Sequence, residues 1–326
     1  MIKNNSIPSK TITHTQDQLS CDTLRRIHIP GLDPAKPLTR REFLALYPGR
    51  DLGKPSEDPG AGAQKGGTAE WASTTYNIGK GCSHDCLYCY ARADAERFGR
   101  IASPEAWKCE QLKSTMPRVP RCKGWIMFPS THDITPFYLP AALVTLKALL
   151  DKGNKVLIVT KPHMECIVRL CEELATYRER ILFRFTIGTL DESLAKFWEP
   201  GAPTPAERTS CLQYAFNDGF QTSVSMEPML AGTEDAVTTF HTLVPWVTDK
   251  IWIGKMNQVN RRVARTTPEI AAECLRIQEL QSDGAILELV HRLGAQPKVE
   301  WKDSIKAVIA SCSSGPNSIP KAISIK

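Results

Sequence analysis

The chain has 326 residues, 42% hydrophobic and 23% charged, with 41 Lys+Arg against 35 Asp+Glu for a net charge of +6. This is the composition of an ordinary water-soluble globular protein, mildly basic, which tolerates a nucleic-acid partner without demanding one, since no dense Lys/Arg block supplies a footprint. No run approaches the roughly 18–20 apolar residues of a membrane span, and the start, MIKNNSIPSK, lacks a signal-peptide core, so a cytoplasmic protein is expected. Eleven cysteines in a reducing compartment are not a disulfide framework.

Residues 1–70 are polar and rich in punctuation, and KPSEDPGAGAQKGG (54–67) has the composition of a flexible connection. From Trp71 a regular alternation begins. TTYNI is followed by a helix from about Tyr90; GWIMFPS by a helix over 140–152; KVLIVTK by one over 163–174. ILFRFTIGT then leads to a helix near 205–217, FQTSVSMEP to 235–244, and KIWIGKMN to a helix from about Pro268. Six strand-then-helix units imply parallel strands joined by crossover helices. Their nearly continuous apolar runs fit a sheet covered on both faces. Two units short of a closed eightfold barrel, the natural reading is an α/β fold with a partial (β/α)6 TIM-like barrel, its chemistry at the C-terminal strand ends. The organisation expected is an irregular N-terminal extension over 1–70 and a core domain over 71–265. A small C-terminal helical element over 266–312 and a polar tail over 313–326 complete it.

Most cysteines are scattered singly; Cys166, Cys171, Cys211 and Cys274 read as small buried hydrophobes. Cys82, Cys86 and Cys89 differ. They sit in GCSHDCLYC, after the first strand and at the start of the first helix. The spacing C-x3-C-x2-C puts three thiolates on one tight loop with no fourth cysteine near. Electron-carrying clusters usually take four cysteines, and structural zinc sites are closed by four ligands. Three ligands on a [4Fe–4S] cluster leave one iron open, where S-adenosylmethionine (SAM) binds through its amino and carboxylate groups and is reductively cleaved to a 5′-deoxyadenosyl radical. The competing reading is a zinc loop completed by His84 or a remote cysteine.

CSHDCLYC resembles the radical SAM superfamily signature. The wider match, over roughly 71–257, resembles the spore-photoproduct-lyase-like branch, through TYNIGKGCSHDCLYCYAR, FPSTHDITP, VLIVTKP, FTIGTLDESLAKFWEPGAPTPAER and SVSMEPMLAG. The resemblance implies that Tyr88 packs beside the SAM adenine and that Ser130, Thr131 and Asp133 contact the SAM amino group. It places Lys161 near the SAM carboxylate as a point charge, and Thr186 and Thr189 near the ribose. Glu199 and Arg208 would pair to brace the loop above the site. It also implies an external electron donor of flavodoxin or ferredoxin type; the substrate stays open between a nucleic acid and a peptide or small molecule. Bland readings stand beside these: Lys161 as a loop lysine, the threonines as strand formers, Asp133 as a helix cap.

One departure stands out. Spore photoproduct lyases carry a hydrogen-donating cysteine at the end of strand two, three residues before an Asp; here Ser130 precedes Asp133. A serine O–H bond is too strong to act as that donor. Cys109 and Cys122 are the replacement candidates within loop reach, against a plainer role in packing. The function expected is a radical SAM enzyme; the alternative is a non-catalytic iron–sulfur or zinc-binding sensor or nucleic-acid-binding module.

Overall fold

In a computed structural model the structure describes residues 67–114 and 118–311. The N-terminal connection up to residue 66 and the polar tail lie outside the described residues.

Seven strands form one parallel sheet: β1 (Thr74–Thr75), β4 (Trp125–Phe128), β5 (Lys155–Thr160), β6 (Ile181–Thr186), β7 (Gln221–Met226), β8 (Ile251–Ile253) and β9 (Val299–Trp301), each paired in that order with the next. Two short strands, β2 (Gly79–Lys80) and β3 (Gln111–Leu112), form a separate antiparallel pair. The six expected units are present, and β9 adds a seventh strand. Its three residues, VEW, are too short a run to mark a strand in isolation. What makes them one is register: Val299, Glu300 and Trp301 pair with Ile251, Trp252 and Ile253.

The helices fall close to expectation: α1 (Tyr90–Arg97), α2 (Leu139–Asp151), α3 (Met164–Leu174), α5 (Pro205–Asn217), α6 (Thr233–Leu243) and α8 (Pro268–Leu280). Gly153 and Gly219 take φ of +80° each just beyond α2 and α5, the left-handed conformation a side chain resists. The sequence reading missed α4 (Glu192–Trp198) and the single turn α7 (Val259–Arg262). The expected C-terminal helical element contains two further helices, α9 (Asp283–Leu293) and α10 (Asp303–Ser311). Among the described residues no helix is long and apolar enough to cross a membrane.

Alternation along the strands sorts the core into two layers. Val156 and Ile158 of β5 and Ile181, Phe183 and Phe185 of β6 point to the helices and join the main core. Leu157, Val159 and Leu182 point to the opposite face, with Met127, and pack on Trp71 and Trp125. That inner face becomes polar from β6 onward. Arg184 is buried there between the Trp71 and Trp252 rings, 4.9 and 5.0 Å from their centroids, and donates from Nε to Ser223 at 2.9 Å. No ladder joins β1 to β9. The segment Gly67–Glu70 spans these edges instead: Lys302 Nζ, directly after β9, donates to the Gly67 carbonyl at 3.1 Å and lies 2.8 Å from Glu70.

Candidate active site

The C-terminal strand ends open on a cavity of about 680 Å³, as expected for parallel α/β folds. Cys82, Cys86 and Cys89 line one end of it, and all three are free thiols. The loop that carries them is shaped by two close backbone approaches. Gly81 has φ +88°, and a Cβ there would lie 2.3 Å from the Cys109 carbonyl oxygen; one on Gly201 would lie 2.2 Å from that of Ser83. Backbone bonds then tie the loop down, from Cys82 N to Trp107 O at 2.8 Å, Leu87 N to Trp198 O at 2.8 Å and Gly201 N to His84 O at 2.9 Å. Cys89 caps α1, its sulfur accepting from Arg92 N at 3.4 Å. Burial pushes the Cys86 thiol up to about 12, with Lys161 pulling the other way, and burial raises Cys82 and Cys89 as well. A metal that binds these sulfurs must therefore displace their protons.

Cys82, His84 and Asp133 bring donor atoms within 4.8 Å of one another, the trio a zinc reading would use. The hydrogen bonds argue against it. His84 is buried, with Nδ1 3.1 Å from Asp133 Oδ2 and Nε2 2.9 Å from His163 Nε2. A carboxylate only accepts, so Nδ1 carries the proton, and Nε2 is spoken for by His163. Asp133 Oδ1 accepts from Thr160 Oγ1 at 2.7 Å and from Lys161 N at 2.5 Å. Burial pushes the Asp133 carboxyl up, but His84, Lys161 and Thr160 outweigh it and hold it well below the usual carboxylate range. The three cysteine sulfurs remain as the soft donors, an open set of the kind a cluster with one free iron needs.

The other predicted residues sort clearly. Tyr88, Ser130, Thr131, Asp133, Lys161 and Thr186 line the cavity with the cysteines. Thr189 does not: its hydroxyl donates to Asp235 at 2.7 Å and accepts from Asp191 N at 3.0 Å, bracing the start of α4. Asp133 lines the wall, yet both its oxygens are committed to protein groups. Ser130 is fixed by Asn77, which the sequence reading passed over: Asn77 Nδ2 donates to Ser130 Oγ at 2.8 Å, and its Oδ1 accepts from Ser130 N and Thr131 N at 2.7 and 3.0 Å.

Glu199 and Arg208 do pair, both buried, at 2.5 Å between Oε2 and Nη1, as an ionic contact without hydrogen-bond alignment. The pair belongs to a larger group. Tyr88 donates its hydroxyl to Glu199, and Lys161 Nζ lies 3.8 Å from Glu199 Oε1 and 5.7 Å from the Tyr88 ring centroid. Burial disfavours the Lys161 ammonium, but Cys86, Tyr88, Glu199 and Asp133 around it raise its pKa above the ordinary value, so it stays cationic. Glu199 thus orients a lysine beside the cysteines, a role beyond loop bracing.

The far end of the cavity was largely missed. Ser225, Glu227, Lys255 and Asn257 line it with Trp71, while Arg262 lines the same cavity 5.9 Å from the ring of Tyr90, which follows Cys89. Glu227 is held by Lys302 at 3.2 Å, and burial raises its carboxyl pKa. Ser225 Oγ is buried without a hydrogen-bond partner. Position at or just beyond the ends of β7 and β8 was the signal available for Ser225, Glu227, Lys255 and Asn257. Cys109 and Cys122 do not line the cavity; Cys109 is exposed and Cys122 packs on the main core. Cys166, Cys171, Cys211 and Cys274 are fully buried, as expected.

No protein-family model matches the chain. It is 30% identical over 169 residues to the uncharacterized protein ORF301 of Acidianus two-tailed virus, covering 47% of this chain and 54% of that one. The chain spans about half the length of that curated relative. Among solved structures it is similar to SuiB of Streptococcus suis, at 12% identity over 78% of this chain and 53% of that one, with a TM-score of 0.45. SuiB bound to S-adenosylmethionine gives 12%, 70%, 50% and 0.43 in the same order. A variant of spore photoproduct lyase gives 12%, 69%, 74% and 0.40.

Proposed function

We propose that this protein is a radical SAM enzyme that holds a [4Fe–4S] cluster on Cys82, Cys86 and Cys89 and binds SAM in the adjoining cavity. The observation that carries the proposal is the open set of three cysteine sulfurs beside a cavity, with the neighbouring His84 and Asp133 already saturated by protein partners. When bound, the cluster supplies the electron that cleaves the SAM sulfonium into methionine and a 5′-deoxyadenosyl radical.

The chain's own residues have separable tasks. Lys161 presents a cation beside Cys86, suited to the SAM carboxylate and to offsetting thiolate charge. Glu199, itself neutralised by Arg208, holds that cation in place. Tyr88 is oriented through its bond to Glu199 and offers its ring to the adenine. Asn77 sets the loop that presents Ser130 and Thr131. Asp133 pins the cysteine loop through His84 and the end of β5 through Thr160 and Lys161; its part is positioning.

The decisive assay is anaerobic. Reconstituted protein with SAM and dithionite releases 5′-deoxyadenosine and methionine; protein that binds iron but releases neither is a sensor or binding module. Lys161→Ala weakens SAM binding by about 1.5–3 kcal/mol, the scale of a charge-assisted hydrogen bond, with an unchanged cluster spectrum. Unaltered affinity, measured by equilibrium dialysis of labelled SAM, returns Lys161 to a structural role.

The far end of the cavity is the substrate's. A nucleic acid is the class the sequence resemblance implies, and the Arg262 guanidinium, 5.9 Å from the Tyr90 ring in the same cavity, supplies an aromatic and a cationic group together. We exclude thymine-dimer reversal by the thiol route on chemical grounds: Ser130 stands at the donor position and, among the described residues, neither Cys109 nor Cys122 lines the cavity. Incubated anaerobically with SAM and a spore-photoproduct dinucleotide, the enzyme cleaves SAM without forming thymidylyl-thymidine. Efficient dinucleotide repair would overturn the exclusion.

A further inference from the structure

Resting on the reading of the cavity's far end as the substrate's, we infer that Ser225, Glu227 and Asn257 form a subsite for an uncharged cyclic amide, a ring carrying N–H beside C=O. All three line the cavity. Val224 and Met226 belong to the main core, so Ser225 and Glu227, two residues apart, leave β7 together on the inner face. Ser225 is fully buried, and its Oγ has no hydrogen-bond partner. A buried hydroxyl left unpaired costs free energy that a ligand's hydrogen bond recovers. Glu227 is half committed. Lys302 Nζ lies 3.2 Å from its Oε2, and among the described residues no hydrogen bond engages Oε1.

The three side chains select the occupant by chemistry. A carboxylate oxygen only accepts, whereas a serine hydroxyl and an asparagine amide can each donate. The group that satisfies them offers a donor to Glu227 and an acceptor to Ser225 or Asn257. Charge of either sign is disfavoured. An anion would face the carboxylates of Glu70, Glu227 and Asp303, which all line the cavity. A cation would meet the Lys302 ammonium, already seated 2.8 Å from Glu70 and 3.2 Å from Glu227. Geometry then selects a ring. Acceptor and donor rise from the same face of one strand end, so the ligand must present N–H and C=O on one edge. A small ring holds its amide cis and does so; an open-chain amide is trans and points the two groups in opposite directions. Ser225 is in register with Thr186 of β6, another residue of the cavity wall. That places the ring beside the strand end which the resemblance gives to the SAM ribose.

Ligand-observed NMR titration of uracil into the reconstituted full chain, saturated with SAM and without reductant, reads the subsite without turnover. Uracil binds. Its dimethyl relative lacking both N–H groups, and its anionic relative orotate, bind about fivefold or more weakly, the scale of one lost hydrogen bond. The open-chain amide N-acetylglycine methylamide is as weak. Ser225→Ala and Asn257→Ala each weaken uracil binding by about fivefold. Ser225→Ala unfolds no earlier than wild type in a thermal scan, because its hydroxyl has no partner to lose. Uracil matched by any of the three comparison ligands, or uracil affinity untouched by Ser225→Ala, overturns the subsite. Earlier unfolding of Ser225→Ala also overturns it, by placing the hydroxyl in the service of the fold. Wild type that cleaves SAM yet binds no uracil overturns the subsite alone. Wild type that shows the uracil pattern but cleaves no SAM with dithionite overturns the radical SAM reading instead and leaves the subsite standing.

Discussion

Cys82→Ala, Cys86→Ala and Cys89→Ala each abolish iron–sulfur assembly, read as loss of bound iron, of acid-labile sulfide and of the broad visible absorbance of sulfur-to-iron charge transfer. The expected loss is near-complete because two thiolates cannot hold a four-iron cube, and among the described residues no fourth cysteine lines the cavity. Both nitrogens of His84 and both oxygens of Asp133 are engaged, and neither Cys109 nor Cys122 lines the cavity. His84→Gln separates the two metal readings: a zinc loop closed by His84 loses its metal, whereas the cluster's iron content persists. Equal iron in a reconstituted triple cysteine variant and in wild type would sink the assignment.

Lys302→Ala lowers folding stability by about 3–5 kcal/mol, the range for removing one partner of a buried ion pair, measured by denaturant unfolding. The Lys302 ammonium lies within reach of Glu70 Oε1 at 2.8 Å, Glu227 Oε2 at 3.2 Å and the Gly67 carbonyl at 3.1 Å, and 4.2 Å from the Trp71 ring centroid. The residue is 1% exposed, so water does not replace what the substitution removes. Two carboxylates would be left facing each other in a poorly solvated space. Because Lys302 also joins the segment before β1 to the strand β9, the loss loosens the seam between the sheet edges and frees Glu227 at the cavity's far end. A change under about 1 kcal/mol, the usual worth of an exposed ion pair, would show that this lysine holds nothing together.

Much of the fold was legible because its signals are local. Apolar runs such as KVLIVT, the glycines at 153 and 219, and Pro205 or Pro268 at a helix start each report on a few neighbouring residues. The helix α4 was hidden because seven residues give too short a period to read. Thr189 shows the converse. The resemblance put it near the ribose, and in the structure its hydroxyl is taken by Asp235, 46 residues along the chain.

The sequence by itself determined the parallel α/β architecture and the three-cysteine loop, since strand hydrophobicity, turn residues and ligand spacing are properties of contiguous residues. It also placed Ser130 where the resemblance to spore photoproduct lyases would call for a cysteine. Only the tertiary structure decided that β9 completes the sheet, that His84 and Asp133 are spent on protein partners, and that Lys161, Glu199, Arg208 and Tyr88 act as one charged group beside the cysteines. Those outcomes depend on contacts between residues far apart in the chain, His84 with His163, Tyr88 with Glu199 and Lys302 with Gly67 among them. A buried charge is stable only where its partners converge on it, and convergence is set by the packing of strands and helices.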